Sequence, residues 1–168
     1  MSVLFVCLGN ICRSPTAEGI VRARLRAAGL ESVVELDSCG TGPWHVGEAP
    51  DARAQQAAAQ RGIDLSALRG RQLQDADFMR FDYLLAMDHS NLSVLESRRP
   101  AASEAHVGLL MDFAGEPGEQ VPDPYYEGGF DRVYDMIERA ADGLVVELQD
   151  QLQDRLQHQS PQRPETHR

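Results

Sequence analysis

The chain predicts an α/β fold, an open four-stranded parallel sheet with helices on both faces. Three observations carry this. Short strand-like apolar runs alternate with amphipathic helical stretches, the order that builds a parallel sheet through right-handed crossovers. The run Tyr83-Leu84-Leu85-Ala86-Met87 is continuously apolar, as in a strand covered on both faces. The length of 168 residues suits one domain with a sizeable core.

Taken in order, residues 3–6 read as the first strand. Over residues 14–28, Ala17, Ile20, Val21, Leu25 and Ala28 fall near one helical face, with Gly29 placed as a C-cap. Residues 33–37 are rich in β-branched side chains and read as the second strand. The Gly- and Pro-containing stretch 38–44 is then the loop at its carboxyl edge. Residues 50–61 open on Pro, are rich in Ala and precede Gly62, which predicts a helix. A short helical turn over 75–80 leads into the strand 83–87, and residues 88–97 predict a helix with Leu92 and Leu95 facing inward. Residues 107–110 are the fourth strand. Residues 111–129, rich in Gly and Pro, read as a long loop of the kind that is functional or disordered. The last helix is the clearest: Phe130, Val133, Tyr134, Ile137, Ala141, Leu144, Val145, Leu148, Leu152 and Leu156 recur at helical spacing. One domain over residues 1–157 and a polar tail over 158–168, without a large apolar residue, complete the organisation.

The chemistry concentrates in Cys7-Leu8-Gly9-Asn10-Ile11-Cys12-Arg13-Ser14-Pro15, between the first strand and the first helix. A thiol at a strand end and a guanidinium six residues later face one another if the backbone between them curls into a ring with its N–H groups inward. The ring formed by Leu8, Gly9, Asn10, Ile11, Cys12 and Arg13 is a cradle for a phosphate-sized anion. Unpaired N–H groups at the helix start and the helix dipole add positive potential there. Arg13 can hold two phosphate oxygens in its planar fork.

A field that binds an anion also favours a thiolate at Cys7, and hence a nucleophile aimed at phosphorus. Ser14 can donate its hydroxyl to that sulfur, cap the helix, or do both. Asn10 suits a loop position of positive φ, and Gly9 permits close approach to a ligand. For Cys7 alone a buried packing role is the plainer reading, but the full C-x5-R-S string at a strand-to-helix junction outweighs it. The chain contains no Lys, so this is not a Walker A loop.

The 16 basic and 26 acidic side chains give a net charge of −10, which argues against nucleic-acid or anionic-membrane binding. An anionic substrate must be drawn by a local positive focus. Three cysteines, no signal-peptide pattern over residues 1–7 and no long apolar span predict a cytoplasmic protein with reduced thiols and no membrane insertion. No Cys and His spacing suggests a metal site, and the expected chemistry needs no cofactor.

The nine-residue string from Cys7 to Pro15, together with Asp123-Pro124-Tyr125-Tyr126 far downstream, resembles the signature and acid loops of the low-molecular-weight protein tyrosine phosphatases. The resemblance covers nearly the whole chain. It implies a flavodoxin-like sheet in the order 2-1-3-4. It also implies hydrolysis of phosphotyrosine and aryl phosphate monoesters through a phosphocysteine on Cys7. Tyrosine-phosphorylated proteins are then the substrates, and phosphate or vanadate the inhibitors. Asp123 is the general acid and base, a role worth roughly 10²–10⁴ in rate, with Pro122 and Pro124 restricting its backbone. By itself an Asp-Pro pair is more commonly a turn initiator.

Trp44, Tyr125 and Tyr126 are candidate aromatic walls for a phenyl ring, with scaffold packing as the competing role. The resemblance implies a hydrogen bond from Ser38 to Asn10, with capping or turn formation as the alternative. Where members of the family commonly carry a His, this chain has Leu68, so a shorter supporting network is expected, and the histidines read as surface residues. Cys12 is the redox candidate: peroxide would oxidise Cys7 to a sulfenic acid, which Cys12 would trap as a disulfide. A small buried filler is the alternative. Cys39 reads as packing.

Three other functions compete. An arsenate reductase of the same fold would need cysteines downstream of Cys39, and none exists. In an arginine-phosphatase branch a polar Thr tends to stand where this chain has Ile11. A module that only binds phosphoproteins would not need Cys7, Arg13 and Asp123 together.

Overall fold

Strand β1 (Ser2–Cys7) is buried along its whole length and organises the layers. Alternation along it sends Val3, Phe5 and Cys7 into one core, and Leu4 and Val6 into another. The computed structural model describes residues 1–159. In it β1 pairs in parallel with β2 (Glu35–Gly40) on one side and β3 (Tyr83–Ala86) on the other, and β3 pairs with β4 (His106–Leu109). The order β2-β1-β3-β4 is the one expected. Helices α1 (Arg13–Ala27), α2 (Ala52–Ala59) and α5 (Phe130–Gln159) close the first core. Helices α3 (Asp77–Arg80) and α4 (His89–Arg98) close the second.

Local chemistry explains most boundaries. Helix α1 ends with Arg24 and Arg26 in its last turn, where cations oppose the dipole, and Gly29 then takes the left-handed conformation at φ 73°. Asp51 and Asp88 cap α2 and α4 by accepting N–H groups from Arg53 and Asn91. Ile137, Leu144 and Leu148 of α5 are fully buried, each contributing about 1.5–3 kcal/mol.

Three expectations need correction. The second strand lies at Glu35–Gly40, not 33–37: Val33 is exposed, and pairing with β1 carries the strand through Ser38, Cys39 and Gly40, which had read as loop. Gly40 belongs there because a Cβ at that position would sit 2.8 Å from the Leu8 carbonyl oxygen, a close backbone approach that only Gly allows. The stretch after β4 is not wholly loop, since it opens with a 3-10 turn, Leu110–Ala114. Helix α5 continues through Gln159, past the boundary at 157, and the rest of the expected tail lies outside the described residues.

Candidate active site

The carboxyl ends of the strands converge on the loop between β1 and α1. Its centre is Asn10, the one non-Gly residue of positive φ among those described, at 58°, as the sequence predicts. The turn aims the Asn10 N–H at the Cys7 sulfur, 3.2 Å away. The amide side chain then donates to Ser14 Oγ at 2.8 Å and Ser38 Oγ at 3.0 Å, and accepts the Arg71 N–H at 2.9 Å. Ser38 thus contacts Asn10 as the resemblance implies.

Ser14 Oγ lies 3.0 Å from Cys7 Sγ. Because Asn10 already donates to this oxygen, the Ser14 proton has two acceptors within reach, the sulfur at 3.0 Å, where a thiolate would accept it, and the Cys39 carbonyl at 3.5 Å. The capping role expected of Ser14 is not found: the N-cap position of α1 is Cys12, with no side-chain cap.

Arg13 is 2 % exposed and is held from three sides. Nη1 donates to Asp88 Oδ2 at 2.7 Å and to the Val121 carbonyl at 3.0 Å, and Nη2 lies 3.5 Å from Asp123 Oδ2. Asp88 uses its other oxygen to cap α4, so a helix start anchors the guanidinium. Val121 donates its N–H to the Met87 carbonyl at the end of β3, which fixes the acid loop two residues before Asp123. Asp123 Oδ1 accepts the Tyr125 N–H at 3.1 Å.

Cys7, Arg13 and Asp123 line a cleft of about 290 Å³ with buried Ile11 and Cys12 at its base, Leu8 and Gly9 beside them, and Trp44, His45, Tyr125 and Tyr126 around its mouth. Tyr125 and Tyr126 meet edge to face at 4.8 Å. Tyr126 is 89 % exposed, so it forms an outer rim. Burial pushes the Cys12 thiol up, nearby Asp51 adding to it, which keeps this second sulfur protonated beside the first. Burial likewise raises Cys39, which packs under the sheet.

Several site residues escaped the sequence reading. His45 is not a plain surface residue: it lines the cleft with Nδ1 2.6 Å from Glu48 Oε2. Glu18, 4 % exposed, accepts the Ser38 hydroxyl at 2.8 Å and pairs with Arg22 at 2.8 Å. Arg71 bridges Asp37 and Asp77 while its N–H holds Asn10. The supporting network is therefore longer than Leu68 led one to expect, and Leu68 itself packs on the apolar core. For Asp88 a signal existed, a carboxylate at the end of a central strand where ligands of parallel sheets bind. For Glu18 and Arg71 there was none beyond their loop and helix positions.

A parallel sheet that presents a thiol, a buried arginine and a carboxyl around one anion-sized nest has the form of a cysteine-dependent phosphatase. Comparison with known proteins gives the family. The profile described as low molecular weight phosphotyrosine protein phosphatase matches residues 2–154. The chain is 48% identical over 139 residues to the low molecular weight phosphotyrosine protein phosphatase of Schizosaccharomyces pombe, covering 80% of this chain and 88% of that protein. It is 39% identical over 154 residues to the low molecular weight protein-tyrosine-phosphatase YfkJ of Bacillus subtilis, covering 91% and 99%. The crystal structure of YfkJ superposes with a TM-score of 0.85 over 90% of this chain and 96% of that one. That of DARP, drosophila arginine phosphatase, superposes at 0.82 with 35% identity over 88% and 98%. The chain belongs to the low molecular weight phosphotyrosine protein phosphatase family.

Proposed function

We propose that the chain hydrolyses phosphotyrosine in proteins by two displacements at phosphorus. The phosphoryl group enters the nest of residues 8–13, with Arg13 on its oxygens. The Cys7 sulfur attacks phosphorus, the P–O bond to the tyrosine breaks, and Asp123 gives its proton to the departing phenolic oxygen. Water then attacks the phosphocysteine while Asp123 takes back a proton, and the sulfur leaves as a thiolate held by Ser14 and the Asn10 N–H. The observation that carries this reading is the shared cleft: Ser14 Oγ lies 3.0 Å from the Cys7 sulfur, and Asp123 faces Arg13 at 3.5 Å on the same cleft. Trp44 and Tyr125 flank the leaving group, and Tyr126 extends the rim. Phosphoproteins are the substrates, met in the cytoplasm, where the thiols stay reduced.

A turnover panel with phosphotyrosine and phosphoarginine peptides tests the reading. Cys7→Ser should abolish turnover, and Asp123→Asn should lower kcat/KM on phosphotyrosine roughly 10²-fold or more. Full turnover by Cys7→Ser would refute it. Faster turnover of phosphoarginine would transfer the chain to the activity named for its structural neighbour DARP; apolar Ile11 at the cleft base and the aromatic walls favour phosphotyrosine.

Cys7 and Cys12 line the same cleft, which supports a protective role for Cys12. Peroxide oxidises the Cys7 thiolate to a sulfenic acid with release of water or hydroxide. The protonated Cys12 thiol then attacks the sulfenic sulfur; the S–O bond breaks, the thiol proton leaves with that oxygen as water, and a disulfide closes that a dithiol reverses. Dithiothreitol should therefore restore peroxide-treated wild type and fail to restore Cys12→Ser. Equal recovery of both would remove the role.

A further inference from the structure

Arg53, in the first turn of α2 and outside every motif considered so far, touches both halves of the site without touching the nest. Its Nε and Nη2 grip both oxygens of Asp51 at 3.1 and 3.0 Å. The Asp51 N–H in turn donates to the carbonyl of Ile11, in the phosphate loop, at 2.8 Å. In the other direction Arg53 Nη2 donates to the Tyr125 carbonyl at 3.0 Å. Its guanidinium also lies over the Tyr125 ring at 5.7 Å and the Phe130 ring at 4.6 Å. The peptide N–H of the same Tyr125 holds Asp123 Oδ1.

A continuous path of polar contacts therefore runs from the nest, through Asp51 and Arg53, to the proton donor. Between residues 123 and 130 the loop carries two glycines of positive φ, Gly128 and Gly129, and its internal ties, the Tyr125 N–H on Asp123 and the Gly128 N–H on the Pro124 carbonyl at 2.9 Å, do not reach the phosphate loop. A guanidinium with a planar fork suits this task because it can engage a carboxylate, a carbonyl and two ring faces at once.

We propose that Arg53 is a positioning residue for catalysis: it straps the acid loop to the phosphate loop and sets where the Asp123 carboxyl hangs above the bound phosphoryl group. The inference rests on Asp123 acting as the proton donor. Its consequence is selective. A substrate whose leaving group departs as a stable anion needs no proton, so misplacing Asp123 leaves it unaffected, whereas a poor leaving group suffers.

The test compares kcat/KM for phenyl phosphate and 2,4-dinitrophenyl phosphate, because this ratio reports the step in which the phenol leaves. Arg53→Ala should lose roughly ten-fold or more on phenyl phosphate and stay within about two-fold on dinitrophenyl phosphate. Arg53→Lys should recover part of the loss. Asp51→Asn, which keeps an N-cap for α2, should reproduce the selectivity in weaker form. In an Asp123→Asn background, Arg53→Ala should add nothing further. Equal losses on the two substrates, no loss on either, or an undiminished loss in the Asp123→Asn background would each overturn the proposal. If Asp123→Asn itself shows no dependence on the leaving group, the failure lies with the assignment of the donor and not with Arg53.

Discussion

Asn10 holds a conformation that costs an L-residue about 1–2 kcal/mol, and its side chain and peptide N–H together touch Cys7, Ser14, Ser38 and Arg71. The strain is offset because every polar atom of the side chain finds a partner that no other residue type would match. Behind it, Glu18 is a buried carboxylate on which two effects oppose. Burial raises its pKa above the ordinary value of 4.5, and the hydrogen bonds from Ser38 and Arg22 pull it back by less. The folded state thus holds this proton more tightly than the unfolded chain, so stability contributed by Glu18 is present below 4.5 and declines as pH rises through the folded value. Glu18→Gln keeps an acceptor for Ser38 and removes the titration. In urea unfolding at a series of pH values, wild type should lose ground to Glu18→Gln as pH climbs from 4.5 toward neutrality. The opposite slope would mean that the ion pair with Arg22 outweighs burial.

Among the elements, α5 depends on close approach. A Cβ at Gly143 would lie 1.8 Å from the Phe113 carbonyl oxygen in the 3-10 turn, and a backbone atom cannot swing aside as a flexible side chain can. Gly143→Ala would gain about 1 kcal/mol in helix propensity but must push α5 off the turn, and overpacking of this kind costs about 1–3 kcal/mol or more. The clash should win, lowering the urea midpoint. A rise in stability would show that the two elements separate freely. The same logic explains why β2 was misplaced in the sequence. Its β-branched start at Val33 suggested a strand, yet register with β1 decided the span and placed Gly40 against the phosphate loop.

For the whole molecule, a net charge of −10 surrounds the proposed phosphate nest, where buried Arg13 and the Asn10 N–H face the Cys7 side of the cleft. A bound oxyanion should therefore stabilise the fold through this site alone. Vanadate at a hundred times its Kd should add about 2.7 kcal/mol, a shift of several degrees in Tm, and the shift should vanish in Arg13→Ala. A shift that survived the loss of Arg13 would place the anion elsewhere. Among the described residues no helix is long and apolar enough to cross a membrane.

Sequence alone determined what near neighbours encode. The C-x5-R-S string between a strand and a helix, Asn10 at a left-handed turn and the apolar stripe of α5 are set by local sterics and periodicity, which act over a few residues, whereas the Asp123 loop is legible only through its resemblance to the acid loop of the family. Only the tertiary structure decided which distant groups meet: Asp88 on Arg13 across 75 positions, Glu18 behind Ser38, and Arg53 on Tyr125 across 72. Those partnerships depend on strand register and on how the crossover helices pack, and of the residues joined only Asp88, a carboxylate at the end of a central strand, carries a sign of its place in the sequence.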